Sequence, residues 1–329
     1  MKSIKVADWT YTQNDSGEIV ASQNGISAQP PASVFKFFSK TRVSDFVNGV
    51  FYATHPYQFN DPFECSPKFI SDINPKLIKL YKSQLLLLFP EKEDRCNIDN
   101  KFSIRPEKAL VDFLFWQLGM MSTCSKVDDT RMWGYYNNHE GIAVELDTTK
   151  LTSSLKTIFH GWNLSIIGLF PINYVHRFPS IKINGGDVKL NATALSLIKE
   201  KDKWSHENEW RYVFNTDGNN LGSPNHFKDW NPKIRQFRMP KECIKSIYLG
   251  YKFFSPKREG ECLTQEEELM IEYLIKHKNK VKAYQIVAAP NEFRYETYET
   301  EFFQRNGVYY AQDWNGRKLF KIGKKKTFV

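Results

Sequence analysis

The chain has 329 residues, 41% hydrophobic and 15% aromatic, which supports a sizeable packed core and excludes a disordered chain. No apolar run reaches the ~20 residues of a membrane-crossing helix, and the opening MKSIKVADWT lacks the apolar stretch of a secretory leader. A cytoplasmic protein with no membrane partner is therefore expected. The net charge is +9, and six of the basic residues (Arg317, Lys318, Lys321, Lys324, Lys325 and Lys326) fall in the acid-free stretch Asn315–Val329. Such an end can hold phosphates or simply be solvated. Five dispersed cysteines without a CxxC point to free thiols rather than a zinc knuckle or a disulfide framework.

In chain order, WTYTQNDSGEIVASQNG predicts a β-hairpin turning at NDSG. QPPAS is a linker, SVFKFFS (33–39) a strand, TRVSDFVNG (41–49) a short helix closed by Asn48-Gly49, and VFYATHP a strand stopped by Pro56. Residues 74–118 carry helical periodicity, opening at Asn74-Pro75. MMSTCS predicts a buried strand, TRMWGYYNN a helical turn and GIAVELD a strand. FPINYVH (170–176) predicts a strand, LNATALSLIKEKDKWS (190–205) a helix and ENEWRYVFN (207–215) a strand, followed by a polar loop at 216–226. CIKSIYLG predicts a strand, TQEEELMIEYLIKH an amphipathic helix and KVKAYQIV a strand, before a last hairpin with two Asn-Gly turns. Without a βαβ rhythm or a Gly-rich phosphate loop, the expected class is α+β, mixed, with largely antiparallel sheets and flanking helices.

Four clusters could carry chemistry. In QFNDPFEC (58–65), Asn60, Asp61 and Glu64 stand between Phe59 and Phe63. The stretch reads either as an Asx-type turn pinned by two phenylalanines or as polar groups facing a cleft. In MWGYYNNHEGIAVELD, Trp133, Tyr135 and Tyr136 are core residues or a stacking surface. In KWSHENEWRYVF, Glu207 and Glu209 two apart on a strand would share one face, an arrangement that is costly unless a cation or proton is shared; Arg211 is on that side too. His55, His139 and His206 have no ligand spacing, so no metal site is expected.

The order FKFFS, FYATHPYQFNDPFEC, STCSKVDDTRMWGYYNNHEGIAVELD, KWSHENEWRYVF, IKSIYLG resembles the bacterial family called domain of unknown function 2971, over about residues 33–255. That resemblance implies a core at 33–280, an N-terminal hairpin extension at 1–32, and a C-terminal strand and hairpin extension with a basic tail at 281–329. More distantly the layout is similar to ADP-ribosyltransferases, which implies a split β-sandwich and NAD as the substrate. By that likeness Lys36 is the first-strand residue, Tyr52 or Thr54 the second-strand residue, and Glu209 the catalytic acid with Glu207 beside it. Trp133 and Tyr136 then offer stacking surface, Phe59, Asn60 and Asp61 line the nucleotide cleft, and Arg211 neutralises phosphate or glutamate. Lys36 stands where those enzymes carry Arg or His, and FNDPFE has no counterpart in them. The implied function is an NAD-dependent ADP-ribosyltransferase-like enzyme, a bacterial toxin or phage-defence effector acting on a protein or nucleic-acid acceptor. A nucleotide- or nucleic-acid-binding module without catalysis and a metal-assisted hydrolase or nuclease are the other readings.

Overall fold

The computed structural model describes residues 1–158, 164–185, 187–216, 235–254, 262–313 and 319–324. The first strands, β1 (Lys2–Val6), β2 (Trp9–Gln13), β3 (Ile19–Gln23) and the two-residue β4 (Ile26–Ser27), pair antiparallel in succession. The expected hairpin is β2–β3, its turn closed by Asn14 Oδ1 accepting from Glu18 N–H at 2.9 Å. After the proline linker come β5 (Ser33–Phe38), α1 (Val43–Val47) and β6 (Val50–Tyr52), with Gly49 at φ +69° ending the helix as Asn48-Gly49 foretold. β7 (Ile70–Ile73) leads into α2 (Pro75–Leu88), α3 (Lys92–Ile104) and α4 (Pro106–Trp116). Asn74 caps α2 by accepting from Lys76 N–H at 3.0 Å. β8 (Leu118–Cys124), α5 (Thr130–Asn137), β9 (Ile142–Asp147) and α6 (Thr148–Ile158) follow.

Two expectations need correction in the next segment. The strand read at 170–176 is two strands, β10 (Leu164–Pro171) and β11 (Asn173–Val175), because Ile172 N–H still donates to Glu209 O at 3.1 Å while Asn173 N–H turns to Leu197 O at 2.7 Å, passing the chain to a different pairing partner. After β12 (Ile181–Ile183), the helix read at 190–205 is three elements: α7 (Val188–Ser196), β13 (Ile198–Glu200) and α8 (Lys201–Trp204). The chain leaves the helix because Leu197 O accepts from Asn173 N–H at 2.7 Å and β13 then pairs parallel with β11. Tertiary pairing overrides a helical propensity here. β14 (Glu209–Thr216) comes next; the polar loop after Thr216 lies outside the described residues. The chain ends with β15 (Gln236–Arg238), β16 (Ile244–Leu249), α9 (Gln265–His277), β17 (Lys282–Ala288), β18 (Tyr295–Arg305), β19 (Val308–Asp313) and β20 (Leu319–Lys324). Asn306 and Gly307, at φ +50° and +71°, make the first expected Asn-Gly turn. The second, and most of the basic tail, lie outside the described residues.

By compactness the chain forms two units, each assembled from separate segments: Met1–Pro30, Tyr52–Ser122 and Thr152–Phe237 in the first, Pro31–Phe51, Thr123–Leu151 and Arg238–Val329 in the second. Residues 1–30 thus compact with the first unit and 281–329 with the second. In the first unit, β14 lies between β10 and β8, and Leu110, Leu114 and Phe115 of α4 share a core with Leu190, Ala194 and Leu195 of α7, together with Ile4, Tyr11 and Val213. In the second, strands run in the order β5-β9-β16-β17-β18-β19-β20, and only β16–β17 is a parallel pair among them. There the Phe46 and Tyr273 rings meet edge-on at 5.2 Å, and buried Glu267 both boxes the α9 cap and takes Lys40 at 2.8 Å. The class is α+β with mixed, largely antiparallel sheets and helices.

The first unit also buries an uncharged histidine. His55 is 2% exposed, and its Nδ1 accepts from Tyr57 N–H at 3.1 Å. Burial and the nearby charge of Arg235 hold its pKa down to about 3. The unfolded chain takes up this proton near pH ~6.5, the folded chain only near 3, so stability is full above ~6.5 and falls as the pH drops toward 3. The loss from this group is about 1.4 kcal/mol per pH unit once below ~6. His55→Asn keeps an acceptor for Tyr57 N–H but cannot titrate. Its urea-unfolding free energy is expected to fall less steeply than the parent's between pH 6.5 and 4.5; equal slopes would refute the assignment.

Candidate functional site

FNDPFE distributes its side chains between two neighbouring features of the first unit. Asp61 Oδ1 accepts from Phe63 N–H at 3.0 Å, the Asx-type turn that the sequence suggested. Phe59 lies under Arg211, whose guanidinium carbon is 4.4 Å from the ring centre. Glu64 turns inward to a cluster of charges, while Phe63 turns out. Asn60 is exposed and does not line the cleft described below.

The charge cluster consists of Glu64, Lys199, Glu207, Glu209 and Arg211, each 8% exposed or less. Arg211 Nε donates to Glu209 Oε1 at 2.6 Å and Nη2 to Oε2 at 3.1 Å, the bidentate fork that suits guanidinium and carboxylate. Lys199 Nζ donates to Glu207 Oε2 at 2.5 Å and Glu209 Oε2 at 3.0 Å. Glu64 lies 2.7 Å from Arg211 and 3.3 Å from Lys199, at ion-pair distance without the alignment of a hydrogen bond. Arg211 Nη1 donates to Ser196 O at 2.8 Å, placing a cation on the last carbonyl of α7. Burial alone would push the Glu209 carboxyl up, but the charges of Arg211 and Lys199 outweigh it and hold the pKa well below the usual carboxylate range. Burial likewise opposes charge on Lys199 and Arg211, and the glutamates reverse it, raising both.

The sequence placed Glu207 and Glu209 on one strand face. Instead, β14 begins at Glu209, Asn208 sits in the left-handed region at φ +46°, and Glu207 belongs to a short 3₁₀ turn, Ser205–Glu207. The two carboxylates converge because Lys199 stands between them, the shared cation that the repulsion argument required. Lys199 itself was hidden by the helical reading of 190–205.

Beside this cluster is a cleft of about 320 Å³ lined by Asp61, Phe63, Phe69, Val175–Phe178, Ile198–Glu200 and Lys203. Lys199 belongs to both the cleft wall and the charge cluster. Phe63 and Phe178 are 46% and 47% exposed, with ring centres 6.0 Å apart, and Phe69 meets Phe178 edge-on at 5.2 Å. Arg177 and Lys203 bring positive charge, Lys203 standing 6.0 Å from the Phe63 ring centre and 3.7 Å from Glu200, an acid that lines the cleft beside it. Asp61 Oδ2 is buried without a hydrogen-bond partner among the described residues. A buried carboxylate oxygen left so is costly unless something supplies a donor.

The other expected site residues lie elsewhere. In the first unit, Tyr52 OH accepts from Gln236 Nε2 at 2.9 Å and Thr54 bridges to Met120; neither lines the cleft. In the second unit, Lys36 is half-buried at the middle of β5, opposite Val144. Trp133 is fully enclosed, edge-on to Phe37 at 5.0 Å and donating from its indole to Val127 O at 2.6 Å, so its ring offers no open face; Tyr136 is half-buried. Phe69, Arg177, Phe178 and Lys203 were not singled out from sequence, since nothing in SPKFI, HRFPS or EKDKW marks them before the fold gathers them.

The charge cluster makes a sharp stability prediction. Lys199→Met leaves three buried carboxylates facing Arg211 alone and is expected to cost about 3–5 kcal/mol. Phe63→Ala, at the open rim, should cost under about 1 kcal/mol. Urea denaturation of the two variants checks this, and a Lys199→Met loss below that of Phe63→Ala would show that the cluster does not hold the unit together.

No family model, curated protein or solved structure matches this chain.

Proposed function

We propose that the first unit binds a nucleotide in the cleft between Asp61 and Phe178. The observation that carries this reading is the meeting of two half-exposed phenylalanines, the cations Arg177 and Lys203, and the unpartnered Asp61 oxygen around one opening. Each meets a different part of a nucleotide. Exposed rings stack bases whatever their identity. Cations take phosphate. A carboxylate oxygen in want of a donor takes a ribose hydroxyl. The same residues explain why Asp-Pro stands between two phenylalanines: the turn aims one Asp61 oxygen at its own backbone and leaves the other for a ligand.

A catalytic form of this reading takes NAD as the nucleotide and rests on Lys199, which joins the cleft wall to the glutamates. Cleaving the nicotinamide–ribose bond builds an oxocarbenium-like cation, which a nearby carboxylate stabilises. Glu209, held ionised by Arg211 and Lys199, would be that carboxylate, and Glu207 would take a proton from the incoming nucleophile. Both Glu209 oxygens are engaged by the two cations, so substrate contact requires Lys199 or Arg211 to move aside. Likeness to the family of unknown function and to ADP-ribosyltransferases, with a split β-sandwich and a cytoplasmic location, belongs to this catalytic form; the roles that likeness gave Lys36, Tyr52, Thr54, Trp133 and Tyr136 do not, since none of them lines the cleft.

Calorimetry with NAD, ATP and AMP, beside nicotinamide release, tests both forms. At least one nucleotide is expected to bind, with affinity about 5- to 100-fold weaker in Phe178→Ala and reduced in Asp61→Asn, which keeps the turn acceptor. Both variants should melt within a few degrees of the parent. Nicotinamide release that disappears in a folded Glu209→Gln variant supports the catalytic form. Binding without release leaves the binding form alone, and failure of all three nucleotides to bind overturns the proposal.

A further inference from the structure

A second opening lies in the same unit, between two strands that each end a sheet. β1 is the outer strand of the β1-β2-β3-β4 sheet, and among the described residues β12 pairs only with β7. Between them runs an open groove of about 530 Å³, lined by Lys2, Ser3, Ile4, Lys5 and Ala7 on one side and Ser180, Lys182, Asn184 and Gly185 on the other. Lys2, Lys5 and Lys182 are exposed, Ile4, Ile181 and Ile183 are buried, and among the described residues no carboxylate lines the groove. Asp72 lies across the strand register from Lys182, and Asp8 and Asp187 stand just beyond the lining residues Ala7 and Gly185 in sequence. Lysines on edge strands also discourage unwanted sheet pairing. Discouraging pairing does not require lysines from two different sheets to gather on one opening that also offers hydroxyls, an amide and an open glycine.

The groove and the cleft share a stretch of chain. His176, Arg177 and Phe178 line the cleft, and Ser180 and Lys182 line the groove. Two residues span at most about 7 Å, so the two openings are neighbours. From this juxtaposition we propose that the groove carries the phosphate backbone of a single-stranded nucleic acid whose neighbouring nucleotide enters the Phe63–Phe178 cleft. The inference deepens the nucleotide reading by naming its ligand class. A single strand is favoured over a duplex because only an unpaired base presents its face to the phenylalanines. The basic balance of the whole chain, +9, favours polyanions in general and raises their encounter rate.

Fluorescence anisotropy with labelled 12-mers of uridine and of thymidine, across a salt series, tests it. Three phosphate contacts on a single strand give a log–log salt slope of about −2, so affinity through them falls about twentyfold between 50 and 200 mM salt. The expected result is binding by at least one oligomer. In the combined Lys2→Gln, Lys5→Gln, Lys182→Gln variant, whose changes are all at exposed positions, binding should weaken at least tenfold at 100 mM salt and the slope should shrink by about 2. AMP and NAD binding should stay unchanged in that variant. Absence of oligomer binding, a slope that does not respond to the three lysines, or capture of poly-glutamate but neither oligomer would each overturn the inference. Lysine-dependent oligomer binding with no mononucleotide binding would keep the groove and sink the cleft assignment instead.

Discussion

The pairing of Glu209 with Arg211, bridged by Lys199 to Glu207 and leaned on by Glu64, is the constraint on which the first unit depends. Five formal charges in a dry place leave little freedom. At 4 Å, two unit charges interact by ~1 kcal/mol in water and ~4 kcal/mol at an effective dielectric of 20. Withdrawing any one member therefore strands its partners at a cost that no single surface contact could offset. The members come from four places in the chain: the FNDPFE turn, β13, the turn before β14, and β14 itself. Their mutual demand fixes those elements against each other, and Arg211 extends the hold to the end of α7. Replacing such a buried cluster by well-packed nonpolar side chains of the same volume is often neutral or stabilising. Stability alone therefore does not explain why charges stand here, and their position one residue from a cleft wall is the feature that chemistry would use.

Much of the fold was legible because local signals and tertiary demands agreed. The NDSG and Asn306-Gly307 turns, the Asn48-Gly49 stop, the Asn74-Pro75 start and the acid-rich first turn of α9 all act within a few residues, and each element formed where those signals put it. The reading failed where a distant partner decided. Nothing between Leu190 and Ser205 announces that Asn173 will take the Leu197 carbonyl and pull the next three residues into a strand. Missing that strand meant missing Lys199, since on a continuous helix it would have been one more solvated lysine.

The site shows the same division. Convergence of Glu207, Glu209 and Arg211 could be inferred, because like charges two residues apart demand a counter-ion wherever they fold. The geometry of that convergence could not, because it runs through a left-handed Asn208 and a short helical turn rather than along a strand face. Asp61 was legible as a turn former, and its second oxygen was not, since an orphaned acceptor exists only once burial has removed water from it. Arg177, Phe178 and Lys203 carry no mark in sequence at all; they matter by proximity to Phe63.

The sign of the charge cluster constrains how any anionic ligand could lie in the cleft. Three carboxylates against two cations leave a formal excess of one negative charge on the inner side. Asp61 adds to it. A phosphate pushed toward that wall would face repulsion in a poorly screened place, while one turned to the rim meets Arg177 and Lys203. Screening at the rim is stronger, so those cations orient and attract more than they bind tightly. For the nucleotide proposed above, the favoured pose would therefore put donor groups such as ribose hydroxyls inward against Asp61, the aromatic group on Phe63 and Phe178, and phosphate outward. In that pose the sugar is the part of the ligand nearest Lys199 and the glutamates behind it. Any bond that this cluster could help to break would have to be one made by the sugar, whereas the phosphate lies beyond its reach.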